Sequence, residues 1–190
     1  MRTVLLAAGS SRRMRGGDKL LEPVGGIPLL RRQAMACVAA GLGPVAVTVG
    51  PEQPARLAAL TGVEATLLPV PDASEGMSAS LKVAAIWAEG HALMVVPADM
   101  PELTAQDFRS LAAGYDGGTL RACDVAGVAG HPVIFPPEIL PEFSTLTGDE
   151  GARRLLQHRP PRLFPLPGHH ATTDLDTPED WAAWRQNQPE

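Results

Sequence analysis

Short apolar runs alternate along this chain with segments whose apolar residues recur at helical spacing. Thr3 to Ala7 is a mainly apolar run leading to Gly9, the pattern of a buried parallel strand. A loop rich in Gly, Ser and Arg follows. Pro28 then stands at a helix start, and Leu29, Leu30, Gln33, Ala34, Cys37 and Val38 keep a helical period to Gly41. Val45 to Val49 predicts a second strand, Gln53 to Leu60 a helix, and Ala65 to Leu68 a third strand. Glu75-Gly76-Met77-Ser78 opens another helix, with Leu81, Ala84, Ala85 and Trp87 on one side. Ala92 to Val96 is a strand that runs straight into Pro97-Ala98-Asp99-Met100-Pro101, and Thr104 caps a helix through Leu111. Past residue 115 the pattern weakens. Thr119 to Ala129 and Pro132 to Phe135 read as a strand pair, Gly148 to Leu156 as a helix, Arg162 to Leu166 as a last strand, and Pro178 starts a final helix through Trp184.

Strands and helices alternating at this spacing predict an α/β fold, a three-layer α/β/α Rossmann-like arrangement with a mostly parallel central sheet. The sequence shows no repeat and no dividing linker, so residues 1–190 are expected to form a single domain. The net charge is −5, from 16 basic and 21 acidic residues, which argues against a nucleic-acid partner. A bound polyanion must therefore find its cations locally. Cys37 and Cys123 have neither disulfide-framework nor metal-site spacing and read as small buried apolar residues. The opening residues do not form a signal peptide, because the apolar stretch reaches glycine at once and is followed by Arg12, Arg13 and Arg15. No stretch approaches the ~18 consecutive apolar residues of a membrane span. A cytoplasmic location without a membrane partner is expected.

Three segments carry candidate chemistry. The first is the loop Leu6-Ala7-Ala8-Gly9-Ser10-Ser11-Arg12-Arg13-Met14, with Lys19 beyond it. It sits where the first strand ends, the edge at which open parallel sheets bind ligands. Successive amides in such a turn cradle phosphate, and Arg13 and Lys19 supply positive charge. The same residues read equally well as a solvated basic turn. They are neither a Walker A motif nor a dinucleotide fingerprint. The second segment places Asp99 directly after a strand, where a carboxylate serves either as a magnesium ligand or as a turn residue. The third is Thr173-Asp174-Leu175-Asp176-Thr177-Pro178-Glu179-Asp180. A capped helix start at Thr177 accounts for Pro178 and the acids after it, but needs neither Asp174 nor Asp176. A lone histidine before proline, His131, reads equally as a turn residue. His169 and His170 lie in a Pro/Gly loop and read as solvent-exposed.

Taken together, these segments resemble the molybdenum-cofactor nucleotidyltransferases of the MobA/MocA type. The resemblance rests on Leu6-Ala7-Ala8-Gly9-x-Ser11-x-Arg13-Met14 with Lys19-Leu20-Leu21, on Gly76-Met77-Ser78-x-Ser80-Leu81, and on Asp99-Met100-Pro101. It extends through Gly130-His131-Pro132-Val133, Gly148-Asp149-x-Gly151-Ala152-Arg153 and Asp176-Thr177-Pro178-Glu179-Asp180. These occur in family order across nearly the whole chain. The resemblance implies that the first loop wraps nucleotide phosphates, with Arg13 and Lys19 as the main cations. It places Gly76 and Ser80 near the base or ribose and has Asp99 and Asp176 hold Mg²⁺. His131, Asp149 and Arg153 would face a phosphorylated pterin acceptor.

The implied reaction transfers CMP from CTP to the terminal phosphate of molybdopterin, releasing pyrophosphate. Ala8 and the Gly-Met-Ser-x-Ser-Leu stretch resemble the cytidylyltransferase branch. The Asp18-Lys19 pair and its spacing from Met14 resemble the guanylyltransferase branch, and Met100 stands where the cytidylyl branch often has Gln. Arg15 stands where the family commonly has glycine. Other expectations are GTP as donor, a sugar or polyol phosphate as acceptor, and, in a different class, a non-catalytic nucleotide-binding carrier of the cofactor. The family further implies transient contact with a molybdenum hydroxylase or its chaperone.

Overall fold

The structure is a computed structural model and describes residues 1–187, Glu150 by its backbone alone. The strands are β1 (Arg2–Leu6), β2 (Pro23–Val24), β3 (Ile27–Pro28), β4 (Val45–Val49), β5 (Thr66–Pro69), β6 (Leu93–Pro97), β7 (Leu120–Cys123), β8 (Ala129–Phe135) and β9 (Arg162–Pro165). The α-helices are α1 (Leu29–Ala40), α2 (Pro54–Ala59), α3 (Met77–Ala88), α4 (Ala105–Ala113), α5 (Arg153–His158) and α6 (Pro178–Gln186). Seven strands form one sheet in the order β5-β4-β1-β6-β8-β7-β9. Strand β8 pairs antiparallel with both β6 and β7, while the remaining ladders are parallel. β2 and β3 form a separate short hairpin.

Side-chain alternation explains why both faces are covered. Leu5, Val45, Val47, Met94 and Val96 point to one face, where they pack with Leu30, Ala34 and Cys37 of α1 and Phe108 and Leu111 of α4. Their neighbours Val4, Ala46, Leu93 and Val95 point to the other face, against Leu81, Ala84 and Ala88 of α3 and a 3₁₀ stretch at Pro137–Thr145 that buries Phe143. Cys37 and Cys123 are both buried, as their spacing predicts. A third cluster joins distant parts of the chain. Trp181 of α6 and Leu175 pack on Met14, Val24 and Leu29, which ties the C-terminal segment to the first loop and the small hairpin.

Three expectations change. The helix predicted over Gly148 to Leu156 is broken into a 3₁₀ turn at Gly148–Glu150 and helix α5, because Gly151 takes φ 55° between them. The strand predicted over Thr119 to Ala129 ends at Cys123, and Asp124 turns the chain by accepting the N–H groups of Ala126 and Val128, both at 2.9 Å. His170 is not left to solvent: its Nδ1 lies 2.9 Å from the buried carboxylate of Asp107, within the capping box of α4. His169 is largely exposed, as expected.

Candidate active site

Beyond β1 the chain moves outward through β4 and β5, then returns to place β6 on the other flank of β1. The carboxyl ends of β1 and β6 therefore meet at the topological switch point, where an open α/β sheet leaves a crevice. A cleft of about 630 Å³ lies there. Its walls include Leu6, Ala7, Ala8, Gly9, Ser11, Arg13, Lys19, Gly76, Ser80, Asp99, Asp149 and Asp176. The structure thus gathers the candidate nucleotide and metal residues, together with Asp149, around one space. His131 and Arg153 are not part of that wall.

At the floor of the cleft, the Lys19 ammonium bridges two carboxylates. Its Nζ lies 2.5 Å from Asp99 Oδ2 and 2.6 Å from Asp176 Oδ1. Arg13 pairs with the other Asp176 oxygen at 2.7 Å. Lys19, Asp99 and Asp176 are each only 16–17% exposed, so the contacts are better shielded than a surface ion pair. Burial pulls the Lys19 ammonium down, but Asp99 and Asp176 outweigh it and hold the group above its ordinary value. Asp176 reaches the floor because the Leu175 N–H donates to the Asp99 carbonyl at 3.1 Å while the Leu175 side chain is buried. Asp174, on the other side of Leu175, lies close enough to feel the charges of Asp99 and Asp176. Burial pushes the Asp174 carboxyl up, and the charges of Asp99 and Asp176 add to that push. Asp176 is the one that shares Lys19 with Asp99.

The donor set suits a hard divalent cation. Asp99 Oδ1 is buried and has no hydrogen-bond partner among the described residues. A buried, unpaired carboxylate oxygen is costly unless a cation or donor meets it. No group of three or more His, Cys, Asp or Glu side chains is placed to hold a metal among the described residues. Two carboxylates completed by phosphate oxygens and water is the usual environment of Mg²⁺, and it requires no third protein acid.

The loop above this floor is held from behind. The Ala7 N–H donates to the buried Thr48 Oγ1 at 3.0 Å. Arg56, on α2, is 2% exposed and reaches the Ala7 and Gly9 carbonyls, the Ser11 hydroxyl and the Asp18 carboxylate. Burial acts to raise the Asp18 pKa, but the hydrogen bonds and charge of Arg56, with the Leu20 N–H and the Ser11 hydroxyl, hold it below the ordinary carboxylate range. The sequence does not flag Arg56, because one arginine in a short helix looks like any solvated charge. The usable signal is its place four residues before buried Leu60, on the same helical face. Ser11 and Arg15 flank the 3₁₀ turn Arg12–Met14 and both take left-handed backbone, φ 50° and 52°. Arg15 therefore adopts the conformation for which the family's glycine is suited.

Gly76 lines the cleft and also makes room for a neighbouring side chain. A Cβ there would lie 2.2 Å from Asp149 Oδ1, so the glycine admits the Asp149 side chain to the cleft wall. On the far side of Asp99, His131 lies near Arg121, and Arg121 near Arg153. No motif marks Arg121, whose Nε donates to the Gly130 carbonyl at 2.8 Å. Gly130 lets the segment at Ala171 pass close, since a Cβ would lie 1.7 Å from the Ala171 carbonyl oxygen. Burial and the Arg121 charge together push His131 down to about 4, against a smaller opposing pull from Asp99. The imidazole is therefore neutral at pH 7.

Comparison with known proteins agrees with this architecture. The chain is 28% identical to nicotine blue oxidoreductase of Paenarthrobacter nicotinovorans, over 83% of this chain and 81% of that one. It is 28% identical to the purine catabolism protein PucB of Bacillus subtilis, over 94% and 92% of the two chains. The crystal structure of Rv0371c from Mycobacterium tuberculosis superposes with a TM-score of 0.85 at 26% identity, covering 98% of this chain and 97% of that one. Residues 3–163 match the MobA-like NTP transferase domain. The chain belongs to the MobA-like NTP transferase family.

Proposed function

We propose that this protein transfers CMP from CTP to the terminal phosphate of a molybdopterin-type acceptor and releases pyrophosphate. The observation that carries the reading is the meeting of Lys19, Asp99 and Asp176 beneath a Gly/Ser loop at the switch point of the sheet. Asp99 and Asp176 would hold Mg²⁺, which when bound supplies positive charge to the phosphate oxygens. An acceptor phosphate oxygen, already anionic at neutral pH, attacks the α-phosphorus of CTP. A new P–O bond forms, the bond from the α-phosphorus to the bridging β-oxygen breaks, and the electron pair leaves with pyrophosphate. No general base is required. The protein's part is to position the reactants and to stabilise charge. Lys19 and Arg13, released from the carboxylates, meet the departing pyrophosphate. His131 is a neutral hydrogen-bonding group at pH 7, and with Asp149 and Arg153 it would face the acceptor. The choice of CTP is supported by Ala8 and by Gly76-Met77-Ser78-x-Ser80-Leu81.

The direct test supplies Mg²⁺, molybdopterin and each nucleoside triphosphate in turn and measures pyrophosphate. Release with CTP alone is expected. Release with GTP alone transfers the assignment to guanylyl transfer, and no release with any triphosphate favours the carrier. Asp99→Ala should lower turnover by roughly a thousandfold, the scale of losing one key electrostatic stabiliser, with the circular dichroism spectrum unchanged; full activity would remove Asp99 from the metal site. A second reading is redox chemistry, favoured by the likeness to nicotine blue oxidoreductase. It predicts oxidation or reduction of a substrate without any triphosphate.

A further inference from the structure

The phosphate loop has two sides, and its surroundings treat them differently. On the side of α2, successive carbonyls are captured. Arg56 Nη1 donates to the carbonyl oxygen of Ala7 at 2.5 Å and to that of Gly9 at 2.7 Å. Gln53 Nε2 donates to the carbonyls of Ala8 and Gly9, both at 3.3 Å. Gln53 is itself fixed, because its Oε1 accepts the Gly50 N–H at 2.9 Å. The peptide bonds here are trans, so each N–H points opposite to the carbonyl that precedes it. Holding the carbonyls of Ala7, Ala8 and Gly9 toward α2 turns the N–H groups of Ala8, Gly9 and Ser10 away from it. Those three N–H groups meet no protein acceptor among the described residues. A row of free amides on a loop that lines a cleft is an anion cradle.

Arg56 also reaches the other end of the loop. Its Nε and Nη2 make a two-point contact with the Asp18 carboxylate at 2.7 and 2.8 Å, and Nη2 meets Ser11 Oγ at 2.9 Å. Asp18 in turn accepts the Ser11 hydroxyl and the Leu20 N–H, both at 3.0 Å. Lys19 lies between Asp18 and Leu20, so its backbone is set by the same network. A guanidinium 2% exposed would be strongly destabilising unless its donors were satisfied. Here each nitrogen of its planar fork has at least one acceptor, an arrangement that a lysine cannot reproduce.

We propose that Arg56, supported by Gln53, is a positioning residue for the triphosphate. It presets the amides of Ala8, Gly9 and Ser10 and the base of Lys19 for the phosphates without touching the nucleotide. This rests on the reading of the cleft as a nucleoside triphosphate site. The work done in advance is conformational: a loop already ordered loses less entropy on binding.

The test compares wild type with Arg56→Lys, which keeps the charge and removes the fork. Each is titrated calorimetrically with Mg²⁺–CTP and with magnesium tripolyphosphate, and near-ultraviolet circular dichroism measures the folded fraction. Both affinities should fall by about tenfold or more and by the same factor, because the loss lies at the phosphates. In turnover assays KM should rise by a larger factor than kcat falls. Unchanged affinity in folded variant overturns the proposal, as does a loss for CTP that tripolyphosphate does not share. If Arg56→Lys fails to fold, Gln53→Ala carries the test, since it removes only the Ala8 and Gly9 clamp. A loss of about threefold for both ligands is then expected, and no loss overturns the proposal. Wild-type protein that binds neither ligand rejects the triphosphate reading itself, an outcome visible before any variant is compared.

Discussion

At the residue scale, His131 gives the clearest pH signature. Its folded-state pKa is depressed to about 4 from an ordinary 6.5, chiefly by burial and then by Arg121. The unfolded chain takes up a proton as pH falls through 6.5, while the folded chain stays neutral until about 4. Stability is therefore full above 6.5, declines across that window, and levels off near 4. The loss attributable to this one group approaches about 3 kcal/mol. Urea unfolding at pH 7 and at pH 4.5 should show most of that difference, and His131→Gln should remove most of it. An unchanged slope between the two pH values in that variant would clear His131 of the role. Its partner Arg121 illustrates a limit of reading residues singly. A motif exposes His131 and a strand end exposes Asp99, because their positions along the chain are informative. Arg56 acts through partners 38 to 49 residues away, so its place before Leu60 hints at burial but not at its role, and no motif marks Arg121. Lys19 is intermediate: its place after the loop is legible, but not that its ammonium rests between Asp99 and Asp176.

At the element scale, the strands of the first half lie within one or two residues of their expected ends, because each is apolar, short and bounded by glycine or proline. The tiny β2–β3 hairpin and the 3₁₀ turns are too short for either periodicity to register. Helix α6 has the start most legible in the sequence, at Thr177-Pro178-Glu179-Asp180. Thr177 Oγ1 accepts the Asp180 N–H at 3.1 Å, and Asp180 Oδ2 accepts the Thr177 N–H at 2.8 Å. The bond to the Thr177 hydroxyl, with these backbone donors, holds the Asp180 carboxyl below its ordinary range. The same Asp180 oxygen also accepts the Asp176 N–H at 3.2 Å, so the cap fixes the backbone of a cleft residue. Thr177→Ala should cost about 1 kcal/mol of stability. Asp180→Ala should do the same and in addition weaken Mn²⁺ binding by roughly threefold, through the freed Asp176 backbone. Equal Mn²⁺ affinity in both variants would confine the cap to a purely helical role; paramagnetic resonance titration distinguishes the cases.

At the scale of the whole molecule, the cleft floor closes a circuit among three distant segments: the loop after β1, the end of β6, and the stretch before α6. Lys19 is the internal cation of that circuit, and it holds the carboxylates that a divalent ion would use. A free metal ion must displace an ammonium at 2.5–2.6 Å, whereas an ion arriving with phosphates offers Lys19 and Arg13 new anionic partners. On the proposed reading, loading of metal and of nucleotide would thereby be coupled. Lys19→Met tests this without any turnover. With its ammonium gone, Asp99 and Asp176 repel one another, and the melting temperature should fall by roughly 5 °C. The raised pKa of Lys19 means that its stabilisation is complete below the ordinary lysine value and is lost only as pH climbs through the raised one. A comparison at pH 7 therefore reads the full effect. Free Mn²⁺ should bind the variant about tenfold more tightly than wild type, a gain of about 1.4 kcal/mol. Millimolar Mn²⁺ should restore most of the lost melting temperature while barely moving that of wild type. Triphosphate binding should weaken in the same variant, since a cation proposed to meet the phosphates is missing. Equal Mn²⁺ affinity in the two proteins would mean that Lys19 does not guard the carboxylates, and that the metal enters by a route the ammonium leaves open.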